Sequence, residues 1–494
     1  MPIDVRPRVS SKHVPVKDST LDPSRITQED LTVRRLAGRR YLNPELAQKD
    51  DVATLGCFKN EVEYVMYDPR PQKNITSTFP MSMNRFVMEL ASARANVHFN
   101  PANTTIGIVT CGGLCPGLND VIRSITLTAI RTYGVKRVIG FRYGYWGLSA
   151  AGRDTAQELT TETVRYIHRY GGTMLGSSRG PQPASEIVDT LEKLGVNILF
   201  TVGGDGTQKG SIRIAEEARR RNLDVAVLGI PKTIDNDLSF SHRTFGFETA
   251  VEQACVAIRA AHSEASSHMF GIGIVKVMGR ESGFIAAQST ISSSQASLCF
   301  IPENPVSREV VLNLIKRRFE LSTYCVIVVA EGFGQDWADC SGAPTDASGN
   351  KKLMDIGVEM KHLVEGFLKK NKALYPQSTV KYIDPSYTIR ACAPNASDAA
   401  FCTNLSTLAV HEAMSGATDC IISMRYNQFI LVPIKAAVSI RKMVDTRGML
   451  WRMVREVTID LSNDAASAQK RELQRELQTV SVKRESIINA LSKL

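Results

Sequence analysis

The chain carries VNILFTVGGDGT at residues 196–207 and VAVLGIPKTIDND at residues 225–237. In both stretches a short apolar run rich in β-branched residues stops at glycine or proline, and acidic and hydroxyl side chains follow. Such runs are typical of buried parallel strands, and ligands of open α/β sheets bind beyond the carboxyl ends of their strands. The two stretches therefore predict an α/β fold with a functional site at these two ends.

The residue types at the two ends indicate the chemistry. Backbone N–H groups beside glycine can approach a polyanion closely, whereas Asp205 would repel a phosphate unless a cation lies between them. Asp235 could accept a proton from a substrate hydroxyl. We therefore expect Mg²⁺ and a nucleotide at Asp205 and phosphoryl transfer to an alcohol at Asp235. Each motif alone is also typical of a plain tight turn or a helix cap.

The amino-acid composition limits the kinds of partner that the chain is expected to bind. The chain has 494 residues, 43% of them hydrophobic, and a net charge of +10. Its Lys and Arg residues are spread along the chain among acids, without a basic stripe, so anionic small molecules are favoured and no nucleic acid is expected. We also expect no membrane span and no secretory signal. The ten cysteines lack the close paired spacing of a disulfide scaffold.

Further apolar runs end in groups that could bind phosphate or sugar. The run at 105–110 leads into CGGLCPGLN and a predicted helix, which together form an anion site without a Walker A lysine. Arg179 lies in a glycine-rich loop and could bind a phosphoryl group bidentately. The remaining ends carry Met278-Gly279-Arg280, Glu331-Gly332, and Tyr387 with Arg390. Several such ends on one alternating β/α chain predict a single shared site.

Together these motifs resemble the 6-phosphofructokinase family over about residues 100–445. The matching segments are Gly112-Gly113-x-x-Pro116-Gly117-x-Asn119, Gly203 to Thr207, Pro231 to Asp237, Met278-Gly279-Arg280 and Glu331-Gly332. Within the family, the N-terminal arm, Lys232 and the terminal Ser-Lys-Leu look most like the glycosomal ATP-dependent enzymes of trypanosomatids. The resemblance implies transfer of the γ-phosphate of MgATP to the 1-hydroxyl of fructose 6-phosphate in glycolysis.

The resemblance also implies residue roles. The catalytic group is Thr233, Asp235, Asp237 and Arg280, with Asp235 as general base. The ATP site is Gly113, Arg179, Gly180, Gly204, Asp205, Gly206 and Thr207, with Asp205 on Mg²⁺. The sugar-phosphate contacts are Thr233, Ile234, Asp235, Met278, Gly279, Arg280, Glu331, Tyr387 and Arg390, with Lys381 supplied by a neighbouring subunit.

Two positions depart from the bacterial ATP enzymes of the family. Lys232 replaces a glycine and matches the pyrophosphate-dependent relatives, whereas those relatives usually have aspartate where this chain has Gly206. Because an aspartate there would repel the α-phosphate of a nucleotide, Gly206 favours ATP as the donor. Gly271 stands where many relatives carry an arginine that reaches across the subunit interface.

The predicted fold has two Rossmann-like parallel-sheet domains with the active site in the cleft between them. We assign 1–95 to an N-terminal embracing arm or small domain, 96–240 to the nucleotide-binding domain and 241–410 to the sugar-phosphate domain. Residues 411–446 return to the nucleotide-binding domain, and 447–494 form a C-terminal helical extension. The resemblance implies a homotetramer and regulation by an effector such as AMP.

The sequence ends in Ser492, Lys493 and Leu494, which form a peroxisome-type targeting signal and predict glycosomal import through its receptor. Three other functions stay open at this point. They are a pyrophosphate-dependent phosphotransferase, a lipid or NAD kinase that shares the Gly-Gly-Asp-Gly loop, and a noncatalytic metabolite-sensing subunit. Comparing phosphate donors and acceptors on the purified chain would separate them.

Overall fold

Two sheets, one mostly parallel and one entirely parallel, form the body of the protein in this computed structural model. The structure describes residues 13–15, 26–38, 41–44, 58–59, 62–66, 86–337 and 352–458. The strands of the two sheets are β1 Thr105–Thr110, β2 Arg137–Phe141, β3 Gln157–Glu158, β4 Ile198–Gly203, β5 Ala226–Pro231, β6 Gly271–Val277, β7 Leu298–Phe300, β8 Tyr324–Ala330, β9 Thr379–Ile383, β10 Cys420–Arg425 and β11 Gln428–Pro433.

Helices cover the sheets and connect their strands. They are α1 Leu118–Leu127, α2 Ala184–Lys193, α3 Asp205–Arg220, α4 Phe247–Ser266, α5 Phe284–Ser293, α6 Arg308–Leu321, α7 Ile356–Lys370, α8 Ser386–Ala391, α9 Ala396–Met414, α10 Ile434–Ala437 and α11 Met449–Val457. Shorter 3-10 turns lie at Glu29–Leu31, Pro101–Asn103, Gly144–Leu148, Arg153–Thr155, Ile167–Arg169 and Gln335–Trp337, and a π-helical turn extends α1 at Thr128–Thr132.

The larger sheet has the strand order β3-β2-β1-β4-β5-β10-β11. The five strands from β2 to β10 are parallel, and β3 and β11 close the two edges in antiparallel orientation. Every residue of β1, β4 and β5 is buried, as expected for parallel strands covered on both faces. The carboxyl ends of β4 and β5 pair Gly203 with Pro231, so the two motifs that follow start side by side.

The smaller sheet has the order β7-β8-β6-β9, with all strands parallel. The fold is therefore α/β with two parallel sheets, as predicted from the continuous apolar runs. The larger sheet takes its strands from residues 105–231 and 420–433, and the smaller sheet takes its strands from residues 271–383. This division agrees with a chain that leaves the first domain and returns to it, although the exact domain boundaries stay predictions.

Short strands of the N-terminal region pair partly with the body, at residues 417–418 and 440–442, and partly with one another and with residues 96–97. Antiparallel pairs join His13–Pro15 to Ile440–Lys442, Arg34–Arg35 to Ala417–Thr418, Tyr41–Leu42 to Asn96–Val97 and Tyr64–Met66 to Val87–Glu89, and Phe58–Lys59 runs parallel to Ala93–Arg94. Of the C-terminal helical extension predicted for residues 447–494, the structure describes the helix Met449–Val457, and residues 459–494 lie outside the described residues.

Candidate active site

The loop after β4 leads directly into helix α3. Gly204 caps α3 without a side-chain hydrogen bond, and Asp205 is the first residue of the helix. Its carboxylate is 37% exposed, so a solvated cation could reach it. A Cβ on Gly206 would meet no atom within 4 Å, so the fold does not require glycine at this position. The uncapped helix start is an anion-binding geometry.

The loop after β5 holds two carboxylates in different environments. The hydroxyl of Thr233 donates to Oδ1 of Asp237 at 2.5 Å. Oδ1 of Asp235 is buried and accepts no hydrogen bond from any residue that the structure describes. Burial, reinforced by the charges of Asp237 and Glu331, raises the pKa of Asp235 to about 7, while Arg390 and Arg441 act in the opposite direction. Asp235 can therefore accept a proton near neutral pH.

Three cationic side chains converge on the glycine loop that follows β1. A Cβ on Gly113 would lie 2.7 Å from Nη1 of Arg390 and 3.7 Å from Nη2 of Arg179. A Cβ on Gly112 would lie 3.7 Å from Nζ of Lys232. Burial lowers the pKa of Lys232, and the nearby guanidinium groups of Arg390 and Arg179 add to this effect. Such a concentration of positive charge suits a transferring phosphoryl group.

The loops that follow β6 and β8 of the smaller sheet form one wall of the candidate site, opposite the loops of the larger sheet that carry Asp205 and Asp235. The amide of Gly332 donates to the carbonyl of Gly279 at 3.0 Å, which ties the loop that carries Arg280 to the loop that carries Glu331. Gly279 has φ +130°, and a Cβ there would lie 2.4 Å from the carbonyl oxygen of Ser282, so glycine is required. The Ser282 hydroxyl donates to the carbonyl of Asp235 at 3.4 Å, which brings the two walls together.

Other predicted residues have mixed placements. Met278 is fully buried, Ile234 is 7% exposed, and Gly180 has φ +104° in the loop beside Arg179. Lys381 lies on β9 with its Nζ 3.9 Å from a carboxylate oxygen of Glu264. Tyr387 is 84% exposed and does not share the inward direction of Arg390, although both lie on α8. The targeting residues Ser492, Lys493 and Leu494 lie outside the described residues.

Sequence reasoning missed Arg441. Its Nη2 donates to Oδ2 of Asp205 at 2.5 Å, and its Nε lies 3.4 Å from Oδ2 of Asp237. Arg441 and Asp205 are 236 positions apart, and the surrounding sequence AVSIRKM has no recognisable motif. No local pattern could have identified this contact. The Asp205 loop and the Asp235–Asp237 loop thus share one cationic partner.

The structure also bears on metal and membrane binding. Within the described ranges, no set of three or more His, Cys, Asp or Glu side chains is arranged to hold a metal ion. Mg²⁺ in kinase sites is usually bound by one or two carboxylates together with substrate phosphates, so the single Asp205 carboxylate fits such a site. Of the helices that the structure describes, none combines the length and apolar character needed to cross a bilayer.

Comparison with known proteins identifies close relatives. The family model described as phosphofructokinase matches residues 105–413. The ATP-dependent 6-phosphofructokinase of Trypanosoma cruzi (strain CL Brener) is 61% identical over 469 residues, which cover 95% of this chain and 96% of the relative. The enzyme of the same name from Trypanosoma brucei brucei is 59% identical over 494 residues, covering both chains completely.

A solved structure shares the fold at low identity. The pyrophosphate-dependent phosphofructokinase of Marinobacter aquaeolei superposes with a TM-score of 0.59 at 18% identity, covering 72% of this chain and 91% of that one. At this identity the likeness concerns the fold and carries no information about the phosphate donor.

Proposed function

The chain belongs to the phosphofructokinase family, and we propose that it transfers the γ-phosphate of MgATP to the 1-hydroxyl of fructose 6-phosphate, giving fructose 1,6-bisphosphate and ADP. The observation that carries the proposal is the half-buried Asp235 carboxylate, whose buried Oδ1 has no hydrogen-bond partner among the described residues and whose pKa is raised to about 7, beside glycine loops and cationic side chains.

Asp235 is the proposed general base. The sugar oxygen forms its bond to the γ-phosphorus as the bond from that phosphorus to ADP breaks, and the hydroxyl proton passes to the Asp235 carboxylate. A pKa near the working pH lets a carboxylate stay ionised and still accept a proton effectively. Asp237, which accepts the hydroxyl hydrogen of Thr233, keeps that hydroxyl and the loop around it in place.

The cationic side chains around Gly113 are proposed to stabilise the phosphoryl group in flight. Arg179 and Arg390 approach this glycine, and Lys232 lies beside Gly112. Arg280, on the opposite wall, adds a fourth positive charge. Preorganised charges aimed at the transferring group supply most of the catalysis in phosphoryl transfer, where the protein itself does little covalent chemistry.

The nucleotide is proposed to lie on the start of α3. The contacting residues are Gly113, Arg179, Gly180, Gly204, Asp205, Gly206 and Thr207, with the Asp205 carboxylate holding Mg²⁺. When bound, Mg²⁺ supplies positive charge to the β- and γ-phosphate oxygens. The open space around Gly206 is available for the α-phosphate.

Fructose 6-phosphate is proposed to bind on the wall formed by the smaller sheet. Its contacts are Ile234, Met278, Gly279, Arg280, Glu331, Tyr387 and Arg390, with Lys381 from a neighbouring subunit. Tyr387 and Lys381 are accessible, as a site completed across a subunit interface requires, and the homotetramer is proposed from the family resemblance. Light scattering of the purified protein would measure the assembly, and a stable monomer with full activity would exclude shared sites.

A pyrophosphate-dependent reaction is the second candidate, favoured by the buried Lys232 beside Gly112. A coupled assay with fructose 6-phosphate and either ATP or pyrophosphate separates the two. We expect turnover with ATP and little with pyrophosphate. The reverse result would move the chain to the second candidate, and inactivity with both donors would favour a sensing role.

Glycosomal localisation and effector control are also proposed. Ser492, Lys493 and Leu494 match the peroxisomal address, and a fluorescent fusion that keeps them should enter the organelle, whereas one that lacks them should not. AMP is the effector that the family resemblance suggests. Its addition at subsaturating fructose 6-phosphate should raise the rate.

A further inference from the structure

Backbone contacts hold the Arg441 segment beside the loop that carries Asp235 and Asp237. It lies in the strand Ile440–Lys442, and the amide of Lys442 donates to the carbonyl of Asp237 at 2.8 Å. An isolated antiparallel bridge joins Arg441 itself to Leu238. These contacts fix the Arg441 backbone directly beside the loop that carries the proposed base.

The Arg441 side chain contacts three acids from three loops. One edge of its guanidinium, formed by Nη2 and Nε, contacts Asp205 and Asp237, which follow β4 and β5 in the larger sheet. Nη1 forms a close ion pair with Glu281, which follows β6 in the smaller sheet. The Arg441 side chain is 19% exposed, against 55% for Glu281. A single guanidinium therefore connects both walls of the cleft.

The buried Glu303 holds the backbone three residues after Arg441, at Val444. Oε1 of Glu303 accepts the amide of Val444 at 2.8 Å and the amide of Gly283 at 2.9 Å. Gly283 is the N-cap of α5, two residues beyond Glu281. The backbones that carry Arg441 and Glu281 are thus held by the same carboxylate, so their ion pair joins two fixed segments.

We propose that Arg441 is a positioning residue that competes with the divalent cation for Asp205. The inference rests on the proposed function, which assigns Asp205 to the metal. A guanidinium bonded to Oδ2 of Asp205 occupies lone pairs that a metal would use, and its positive charge repels a second cation. Arg441 gives up Asp205 when the cation binds and keeps Asp237 and Glu281, so the proposed base stays in position.

The test measures metal binding separately from turnover. The full chain is titrated with Mn²⁺ in the presence of a non-hydrolysable ATP analogue, and bound Mn²⁺ is followed by electron paramagnetic resonance. Arg441→Gln removes the competitor, so Mn²⁺ should bind about 3–10-fold more tightly, as expected for loss of a nearby positive charge. The same variant should lose about tenfold in kcat because Asp237 loses its charged partner. If Arg441 had only a structural role, Arg441→Gln would lower both the affinity for Mn²⁺ and kcat.

Two further variants sharpen the result. Arg441→Lys keeps the charge but not the planar fork, so it should bind Mn²⁺ like wild type and recover part of kcat. Arg452→Gln removes an exposed charge on α11, where Arg452 pairs with Glu456, and should change neither quantity. Unchanged or weaker Mn²⁺ binding by a folded Arg441→Gln protein would overturn the proposal.

Glu281→Gln keeps the proposal testable if Arg441→Gln does not fold. Removing this exposed partner leaves Arg441 more fully committed to Asp205, so Mn²⁺ should bind more weakly, with the opposite sign to Arg441→Gln. Unchanged Mn²⁺ binding by Glu281→Gln would also overturn the competition. Wild-type turnover with ATP and fructose 6-phosphate tests the proposed function by itself, and its failure would not alter the Mn²⁺ results.

Discussion

The hydroxyl of Thr233 donates to Oδ1 of Asp237 at 2.5 Å and accepts a hydrogen bond from the backbone amide of Asp235 at 3.3 Å. The Asp237 carboxylate thus has a hydroxyl donor of its own, while Oδ1 of Asp235 has no hydrogen-bond partner among the residues that the structure describes. A carboxylate that is buried and left without a donor is suited to accept a proton from a substrate. The predictions on Asp235 follow from this difference.

Asp235→Asn should lower kcat by about 10²–10⁴-fold, the usual contribution of a general base. The KM for MgATP should change little because Asp235 is not assigned to the nucleotide site. Steady-state kinetics at saturating fructose 6-phosphate measure both quantities. Near-normal kcat would remove Asp235 from the role of base.

The acid limb of the pH profile should reflect Asp235. Because its pKa is raised to about 7, kcat/KM should fall about tenfold per pH unit below that value as the base becomes protonated. The break near pH 7 should be absent in Asp235→Asn. A wild-type profile that stays flat down to pH 5 would contradict the assignment.

Asp235→Asn should also stabilise the protein at alkaline pH. The pKa of Asp235 rises from 3.8 in its ordinary state to about 7 in the folded chain, so the folded state binds more protons between those values. Its contribution to stability therefore falls as pH rises from about 4 to about 7. Calorimetry should show a gain in Tm for the variant that is larger at pH 8 than at pH 5. An equal change at both pH values would exclude this linkage.

Gly113→Ala should act through Arg390. The new Cβ would lie 2.7 Å from Nη1 of Arg390, and this flexible end can move aside without unfolding the loop. Displacing the guanidinium should cost about 10–100-fold in kcat/KM, as small misplacements in active sites do, with little change in Tm. Gly366→Ala is the matched control, since a Cβ at this position in α7 meets no atom within 4 Å. Equal activity of both variants would argue against a role for Arg390.

Gly206→Asp tests the choice of donor. The position has room for a side chain, so the variant should fold, and the added charge should raise the KM for ATP by about tenfold or more through repulsion of the phosphates. Gly206→Ala adds the Cβ without the charge and should have the smaller effect. If the two variants behave alike, space and not charge controls the donor at this position.

Glu412→Ala should destabilise the attachment of the N-terminal region. Glu412 is fully buried and pairs with Arg35 at 2.9 Å and with Arg94 at 3.1 Å. Its removal leaves buried positive charge without full compensation, which typically costs about 3–5 kcal/mol. Urea unfolding measures the loss, with the exposed Glu456→Ala as control. If the free energy of unfolding falls no more than in the control, the ion pairs of Glu412 with Arg35 and Arg94 contribute no stability.

The strands of the sheets could be predicted from the sequence, whereas the contacts between the loops could not. Runs such as 198–203 and 226–231 are apolar throughout because both faces of a parallel strand are buried, so they could be recognised locally. The approach of Arg390 to Gly113 and of Arg441 to Asp205 depends on how distant segments pack, and no spacing rule encodes it. The raised pKa of Asp235 likewise comes from burial by the assembled cleft.

The transferred phosphoryl group can itself be followed from donor to product. Phosphorus NMR of the purified chain with MgATP and fructose 6-phosphate should show ADP and a new ester at the 1-position of the sugar. Asp235→Asn should form the same product at least about 100-fold more slowly. Failure of the wild-type chain to form this ester from ATP, or equal rates for the two proteins, would contradict the account.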